Sequence, residues 1–288
     1  TAAPAPAAAA TIAPPAPRED REVAESILTL GGTVRIAEGG IESEIEAIEA
    51  LPRGRFEIIG LGLDRFDTDR PPLGKADFAS LVGPKTLQRV WVRPMNTVAD
   101  DADFAFLAGN KDLDFAKLEG AEGVTDAVLE HLRDSKDLKQ LEIHYAPKFT
   151  GKGLAGHPIA GSLDKLTFLR CGITDEGLAA IAGCGDLTLV RIVGSNASDE
   201  GFTALAALSG LKEIDVEGTA FGDKAAAAIA PLKDLEVLTL LKTAVTDAGL
   251  ASLAGLKGLK TLELKGCKVS KEAVEALRKA LPGCRIEF

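Results

Sequence analysis

The feature that most constrains this chain is a repeat. The pattern L-x-x-L-x-L returns with lead residues Leu163, Leu187, Leu211, Leu235 and Leu259, each 24 residues after the last. Upstream, Leu87, Leu113 and Leu138 lead similar stretches, with successive spacings of 26, 25 and 25 residues up to Leu163. A fixed period in the twenties marks stacked units, each too small to bury its own apolar face. Such an array grows its core along one axis, so the 288 residues need not divide into two ordinary domains.

Each unit has the same inner order. The L-x-x-L-x-L stretch is apolar at alternate positions, which predicts a short strand with one buried face. A small or weakly polar residue follows (Cys171, Ser195, Thr219, Thr243, Cys267), then an apolar one (Ile173, Ala197, Phe221, Val245, Val269). Thr174, Ser198, Thr246 and Ser270 stand where a helix needs an N-cap. Asp175, Asp199 and Asp247 come next, where negative charge complements the helix dipole. Apolar pairs such as Leu178 with Ile181, or Leu250 with Leu253, then turn inward at helical spacing.

These residues resemble the leucine-rich-repeat superfamily. The segments ITDEGLAAIAGCGDL and VTDAGLASLAGLKGLKTLELKGC are similar to the short-period TDxGL repeats of bacterial proteins, notably those of planctomycetes. They are also similar to the cysteine-containing repeats of F-box-type proteins. The resemblance covers about residues 56–288. It implies a right-handed α/β solenoid, with parallel strands on a concave face and short helices on a convex one. It speaks to architecture and not to activity. Small helix residues such as Ala179, Ala180, Gly183 and Ala225 to Ala228 let the helices approach closely, so a shallow arc is expected.

Both ends of such an array need covers. Residues 1–18 are expected to be a low-complexity tether, with nine Ala and five Pro among the first 17. Residues 19–55 are expected to form an N-terminal cap and residues 56–288 the repeat array. In the cap, Val23, Ile27 and Leu30 predict a helix ended by Gly31-Gly32, with a short strand from Thr33 to Ile36. Ile41, Ile45, Ile48 and Leu51 predict a second helix, with Glu42, Glu44, Glu46 and Glu49 on its polar side. At the other end, Val274 and Leu277 lie on a helix stopped by Pro282-Gly283, and Cys284 to Phe288 read as a charged edge strand.

Composition narrows the function classes. A formal net charge of −10 disfavours general nucleic-acid binding. No apolar run approaches the roughly 18–20 residues that span a bilayer. The sequence starts at Thr1 and its one methionine is Met95, which points to a removed N-terminal segment. A signal peptide, a lipoprotein leader and a truncation all remain open. With the Ala/Pro tail, this makes an exported or surface-tethered protein the expectation.

Candidate chemistry is sparse. Cys171, Cys184, Cys267 and Cys284 have no metal spacing: Cys171 and Cys267 stand where sister repeats have Ser or Thr, Cys184 where another has Leu256, and Cys284 starts the last strand, so all four are expected to be small buried thiols. A Cys267–Cys284 disulfide across adjoining strand layers is the alternative. His131, His144 and His157 fall by phase on a helix, a strand and a convex segment, so they do not converge on a metal. Asp64, Asp67 and Asp69, beside Pro71-Pro72, miss the calcium-loop pattern. Asp100, Asp101 and Asp103 suit a helix start. Asn196-Ala197-Ser198 matches a glycosylation sequon, but Ser198 is needed as an N-cap. No P-loop, nucleophile elbow or H-E-x-x-H motif is present. No enzymatic activity, cofactor or metal is expected.

The concave strand face is therefore the informative surface. Its outward positions include Arg89, Trp91, Arg93, Phe115, Lys117, Glu119, Glu142, His144, Leu169, Arg191, Val193 and Leu241. Trp91, the only Trp, lies between two arginines, and Trp and Arg are favoured anchors. Leu169, Val193 and Leu241 share one repeat position and predict an apolar stripe. Tyr145 and Arg170, just past their strands, rim the same face. The candidate partner-binding residues are thus Arg89, Trp91, Arg93, His144, Tyr145, Leu169, Arg170, Arg191, Val193 and Leu241. Burial of Trp91 under a loop, and an ordinary surface role for the stripe, stay open. The expected function is a non-enzymatic protein–protein interaction module. A structural subunit docked through its tail or helical face is the alternative.

Overall fold

The computed structural model describes residues 19–64, 73–93, 99–120 and 122–288. The expected tether, together with Asp67, Asp69, Pro71 and Pro72, lies outside the described residues. Alternation of buried and outward side chains makes each repeat start as a strand: β3 (Glu57–Asp64), β4 (Arg89–Arg93), β5 (Phe115–Glu119), β6 (Gln140–His144), β7 (Lys165–Leu169), β8 (Leu189–Val193), β9 (Glu213–Asp215), β10 (Val237–Thr239), β11 (Thr261–Glu263) and β12 (Arg285–Glu287). Each pairs in parallel with the next, in consecutive order, so the sheet is open and extends by one strand per repeat.

The cap corrects one expectation. Residues 41–51 do not form a helix. β1 (Thr33–Glu38) and β2 (Ile41–Ile45) form an antiparallel hairpin, and β1 pairs on its other side with β3. Gly39 and Gly40 supply the two positive φ angles, +59° and +84°, that a tight two-residue turn requires. Once that turn forms, period-two alternation governs β2: Glu44 stands opposite Arg35, and Ile45 opposite buried Val34. Ile41, assigned above to an apolar helix face, is 73% exposed. α1 (Asp20–Thr29) forms as expected and buries Val23, Ala24, Ile27 and Leu28.

The return side of each unit is helical or 3-10. The segments are α2 (Lys75–Ala79), two 3-10 turns at Asp101–Leu107 and Asp126–Leu132, then α3 (Asp175–Ile181), α4 (Asp199–Phe202), α5 (Asp223–Ile229), α6 (Asp247–Ser252) and α7 (Lys271–Ala280). Strand and helix side chains meet in one continuous core. The lead leucines from Leu87 to Leu259 and the plugs Ile173, Phe221 and Val245 are buried in it. Thr174, Ser198, Thr246 and Ser270 all accept a bond from a first-turn N–H, as N-caps should.

The aspartates after the caps do more than complement a dipole. Each reaches into the following repeat and accepts from the start of its helix. Asp175 accepts from Ser198 N and Oγ, both at 2.7 Å. Asp223 accepts from Thr246 N at 2.8 Å, Thr246 Oγ1 at 2.6 Å and Gly249 N at 3.0 Å. Asp247 does the same to Ser270, and Asp101 to Thr125. Asp199 accepts from three backbone N–H groups, of Gly222, Lys224 and Ala225. The glycine of the TDxGL motif makes room for this bond. A Cβ on Gly201 would lie 2.2 Å from Asp175 Oδ1, and one on Gly249 2.3 Å from Asp223 Oδ1.

Asp223→Ala is therefore expected to destabilise the protein by about 2 kcal/mol, since three donors lose their charged acceptor. Gly201→Ala is expected to cost at least as much, through displacement of Asp175. Urea unfolding checks both; midpoints equal to wild type would show that the ladder carries no stability.

Candidate functional site

Parallel pairing places outward residues of successive strands side by side in rows. One row runs Gly62, Trp91, Lys117, Glu142, Thr167, Arg191, Asp215. A flanking row runs Gly60, Arg89, Phe115, Gln140, Lys165. On the other flank Asp64 neighbours Arg93, and Glu119, His144, Leu169 and Val193 follow one another. Strands about 4.8 Å apart bring such neighbours into contact.

The result is a network of ion pairs between adjacent strands. Arg93 lies 2.6 Å from Glu119 and 3.5 Å from Asp64. Lys117 lies 3.3 Å from Glu119 and 3.8 Å from Glu142. His144 sits between the same two carboxylates, its Nδ1 3.6 Å from Glu119 and its Nε2 3.3 Å from Glu142. Gln140 donates to Glu142 at 2.6 Å. Burial pushes the Glu119 carboxyl up, but Arg93 and Lys117 outweigh it and hold the group below its ordinary value. His144, aided by Gln140, holds Glu142 down as well. Burial raises Asp64, which Arg93 only partly offsets. Three carboxylates thus share three basic side chains, and no hydroxyl or thiol nucleophile belongs to the network.

This network takes in several of the expected site residues. His144 faces the concave side but is buried with Glu119, and Arg93 is largely covered. Arg191 gives its Nε to Asp215 at 2.8 Å. His144 and Arg93 are thus engaged within the sheet, while Arg191 pairs with Asp215 and keeps its side chain 44% exposed. Leu169, Val193 and Leu241 of the apolar stripe are half-exposed.

Two places remain open. The first is a trough of about 380 Å³ at the join of cap and array. Gly60 has Arg35 on one side and Arg89 on the other; Gly62 has Thr33 and Trp91. With no side chains on these two outward positions of β3, the floor is backbone. Trp91 is 37% exposed, so no loop buries it. Lys117 Nζ covers its ring at 4.8 Å, and Arg89 stacks on Phe115 at 4.6 Å. Arg35, Gly60 and Gly62 were not among the expected site residues. Glycines at alternate positions of a strand were the available signal.

The second place is the rim. A corner residue one to three positions past strands β5 to β11 adopts positive φ, at Gly120, Tyr145, Arg170, Gly194, Gly218, Lys242 and Gly266. Its N–H continues the ladder, as when Tyr145 N donates to Leu169 O and Arg170 N to Val193 O, both at 2.7 Å. Glycine meets this demand freely in four corners. Tyr145, Arg170 and Lys242 meet it with φ of 56°, 52° and 54°, strain of about 1 kcal/mol each. The side chains of Tyr145 and Arg170 pair, Arg170 5.8 Å from the Tyr145 ring, and Tyr145 is 43% exposed.

The remaining candidates are structural. All four cysteines are free, so the alternative Cys267–Cys284 disulfide does not form. Burial drives the Cys171 thiol up to about 12 and Cys184 up to about 11, which makes both poor nucleophiles. Among the described residues, no cluster of His, Cys, Asp and Glu is arranged to hold a metal.

A leucine-rich-repeat family model matches residues 166–182, which span β7, the corner at Arg170 and α3. The chain has the leucine-rich-repeat fold, with the family's repeat signature in that segment. No curated protein matches its sequence. Among solved structures it is similar to the internalin inlF of Listeria monocytogenes, with 17% identity over 72% of this chain and a TM-score of 0.53. A Bacteroides fragilis protein aligns over 70% of the chain, with 17% identity and a TM-score of 0.50. TLR13, from its complex with ssRNA13, aligns over 75% with 12% identity and a TM-score of 0.50. The chain spans 62% of the internalin, 66% of the Bacteroides protein and 33% of TLR13. At these identities the likeness is one of fold.

The network makes stability depend on acid. Glu119 and Glu142 are depressed in the folded state, so their contribution is complete above the ordinary value of 4.5 and fades as pH falls through the folded values. Asp64 is raised and runs the opposite way. Glu119→Gln is expected to lower stability at pH 7 by about 2 kcal/mol and to flatten the loss below pH 4.5. Urea titrations at pH 7, 5, 4 and 3.5 check this; parallel pH profiles for variant and wild type would sink it.

Proposed function

We propose that this protein is a non-enzymatic protein–protein interaction module that binds through the N-terminal half of its concave face, with Trp91 and Tyr145 as anchors. One observation carries the reading: where large apolar side chains stay exposed. Among the described residues these are Trp91 and Tyr145 on the strand face and rim, Ile41 and Ile48 in the cap, and the terminal Phe288. None lies on α3 to α7, which disfavours permanent docking through the helical face. Aromatic anchors such as Trp and Tyr are enriched in binding hot spots. Here the ion-pair network lies between the two anchors and holds the surface rigid, which reduces the ordering cost of association.

The strain at Tyr145 supports the same reading. Four sister corners use glycine, so keeping a tyrosine there is unfavourable for folding and needs another reason. An exported or surface-tethered setting forms part of this proposal and rests on the Ala/Pro composition of residues 1–17. Among the described residues no helix is long and apolar enough to cross a membrane.

Crosslinking capture from envelope and soluble extracts tests the proposal with wild type, Trp91→Ala and Tyr145→Gly. A protein captured by wild type is expected to drop at least tenfold with either variant. Capture unchanged in both would move the interface elsewhere. Tyr145→Gly is also expected to raise stability by about 1 kcal/mol, because glycine relieves the corner. A variant that loses both stability and binding would mark Tyr145 as structural.

A further inference from the structure

We infer that the trough between cap and array receives an acidic side chain of the protein partner, with an apolar neighbour of that residue lying on Trp91. The inference rests on the binding reading above and gives the partner's chemistry. It begins with register. Arg35 and Arg89 stand on the two strands that flank Gly60, so their Cα atoms are two strand spacings, about 10 Å, apart. The Arg35 stem lies close over Gly60, where an added Cβ would be 2.9 Å from Arg35 Cβ, and the open space for a ligand group is the trough lined by Arg35, Glu44, Arg89 and Trp91.

Which cation is available follows from the ion pairs. On the concave face Arg93, Lys117 and Arg191 each have a carboxylate within 3.3 Å. Arg35 has Glu42 at 2.7 Å, and Glu44 also lines the trough, so this side is balanced. Arg89 differs. Its nearest carboxylate, Asp114, is 3.6 Å away and half-exposed, beyond hydrogen-bond reach. Stacking on Phe115 fixes the guanidinium beside the trough without using its in-plane donors. An oriented guanidinium with open donors matches a carboxylate, which accepts two parallel N–H bonds. Partial neutralisation by Glu44 also explains why a single carboxylate suits the trough better than a run of them.

The apolar half of the ligand follows from Trp91. Lys117 covers the ring from the β5 side, whereas the β3 side carries only Gly62. The uncovered part of the ring therefore borders the trough. A carboxylate at Arg89 and an apolar side chain on Trp91 stand on neighbouring rows of one strand, two residues apart. A Glu or Asp adjacent to a Leu, Ile or Phe in an extended loop spans that separation. Arg89 is paired only with the exposed Asp114, 3.6 Å away, so a basic partner would meet a weakly compensated positive charge and is disfavoured.

A hexapeptide phage selection on the immobilised full chain tests this, with counter-selection on Trp91→Ala. The best peptide, and its acidic-to-amide version, would then be titrated while following the fluorescence of Trp91, the chain's only tryptophan. The expected result is an acidic residue next to an apolar one, with affinity falling about tenfold for the amide peptide and for Arg89→Gln. A Lys/Arg-rich or uncharged consensus, no Trp91-dependent enrichment, or amide and acidic peptides binding within twofold would each overturn the inference. Should Arg89→Gln fail to fold, the paired peptides still decide. The selection involves no native partner, so its failure leaves the capture experiment to judge the wider reading separately.

Discussion

The architecture depends on one bond type: the carboxylate of an aspartate in one repeat accepting from the helix start of the next. A leucine-rich unit buries apolar area only against its neighbours, and apolar contact alone tolerates sliding. The bonds from Asp175 to Ser198, Asp223 to Thr246 and Asp247 to Ser270 are directional and 2.6–2.8 Å long. They fix one repeat against the next at the helix end, while backbone ladders fix the strand end. A free helix N-terminus has orphan N–H groups, and a charged acceptor is the strongest common way to satisfy them. Gly201 and Gly249 are the steric counterparts of that bond, since a Cβ there would overlap the incoming carboxylate of Asp175 or Asp223.

The same registration determines what the concave face does. Because strands are parallel and unshifted, like positions line up, and charges of opposite sign on successive strands fall within reach. From Asp64 through Arg93 and Glu119 to His144, and from Lys117 to Glu142, nearly every charge finds a partner inside the sheet. Such pairs add specificity to the face and little attraction for a partner, because their charges are already compensated. The pattern is interrupted in two places. One is the pair of glycines on β3, which opens the trough. The other is the tyrosine in a corner where glycine would be easier.

Much of this was legible in the sequence. The 24-residue period gives the strands, the core leucines, the caps Thr174 and Ser198, and the terminal helix with its edge strand. The cap hairpin was misread because Ile41, Ile45 and Ile48 satisfy helical spacing as well as they satisfy alternation up to Ile45. Gly39-Gly40 was the deciding signal, a turn demanding positive φ twice. Trp91 and Tyr145 were recognisable as outward residues because the repeat phase gives the face of every position.

By itself, then, the sequence determined the repeat unit, its facing and its stacking order, because local periodicity and capping are properties of neighbouring residues. Only the tertiary structure decided which outward residues are available. His144, Arg93 and Arg191 carry the same promise in the sequence as Arg89 and Trp91. Whether each is spent on a partner depends on side chains one strand away, some 24 residues distant in the chain. That pairing is a property of register between repeats, and register is settled when the repeats pack.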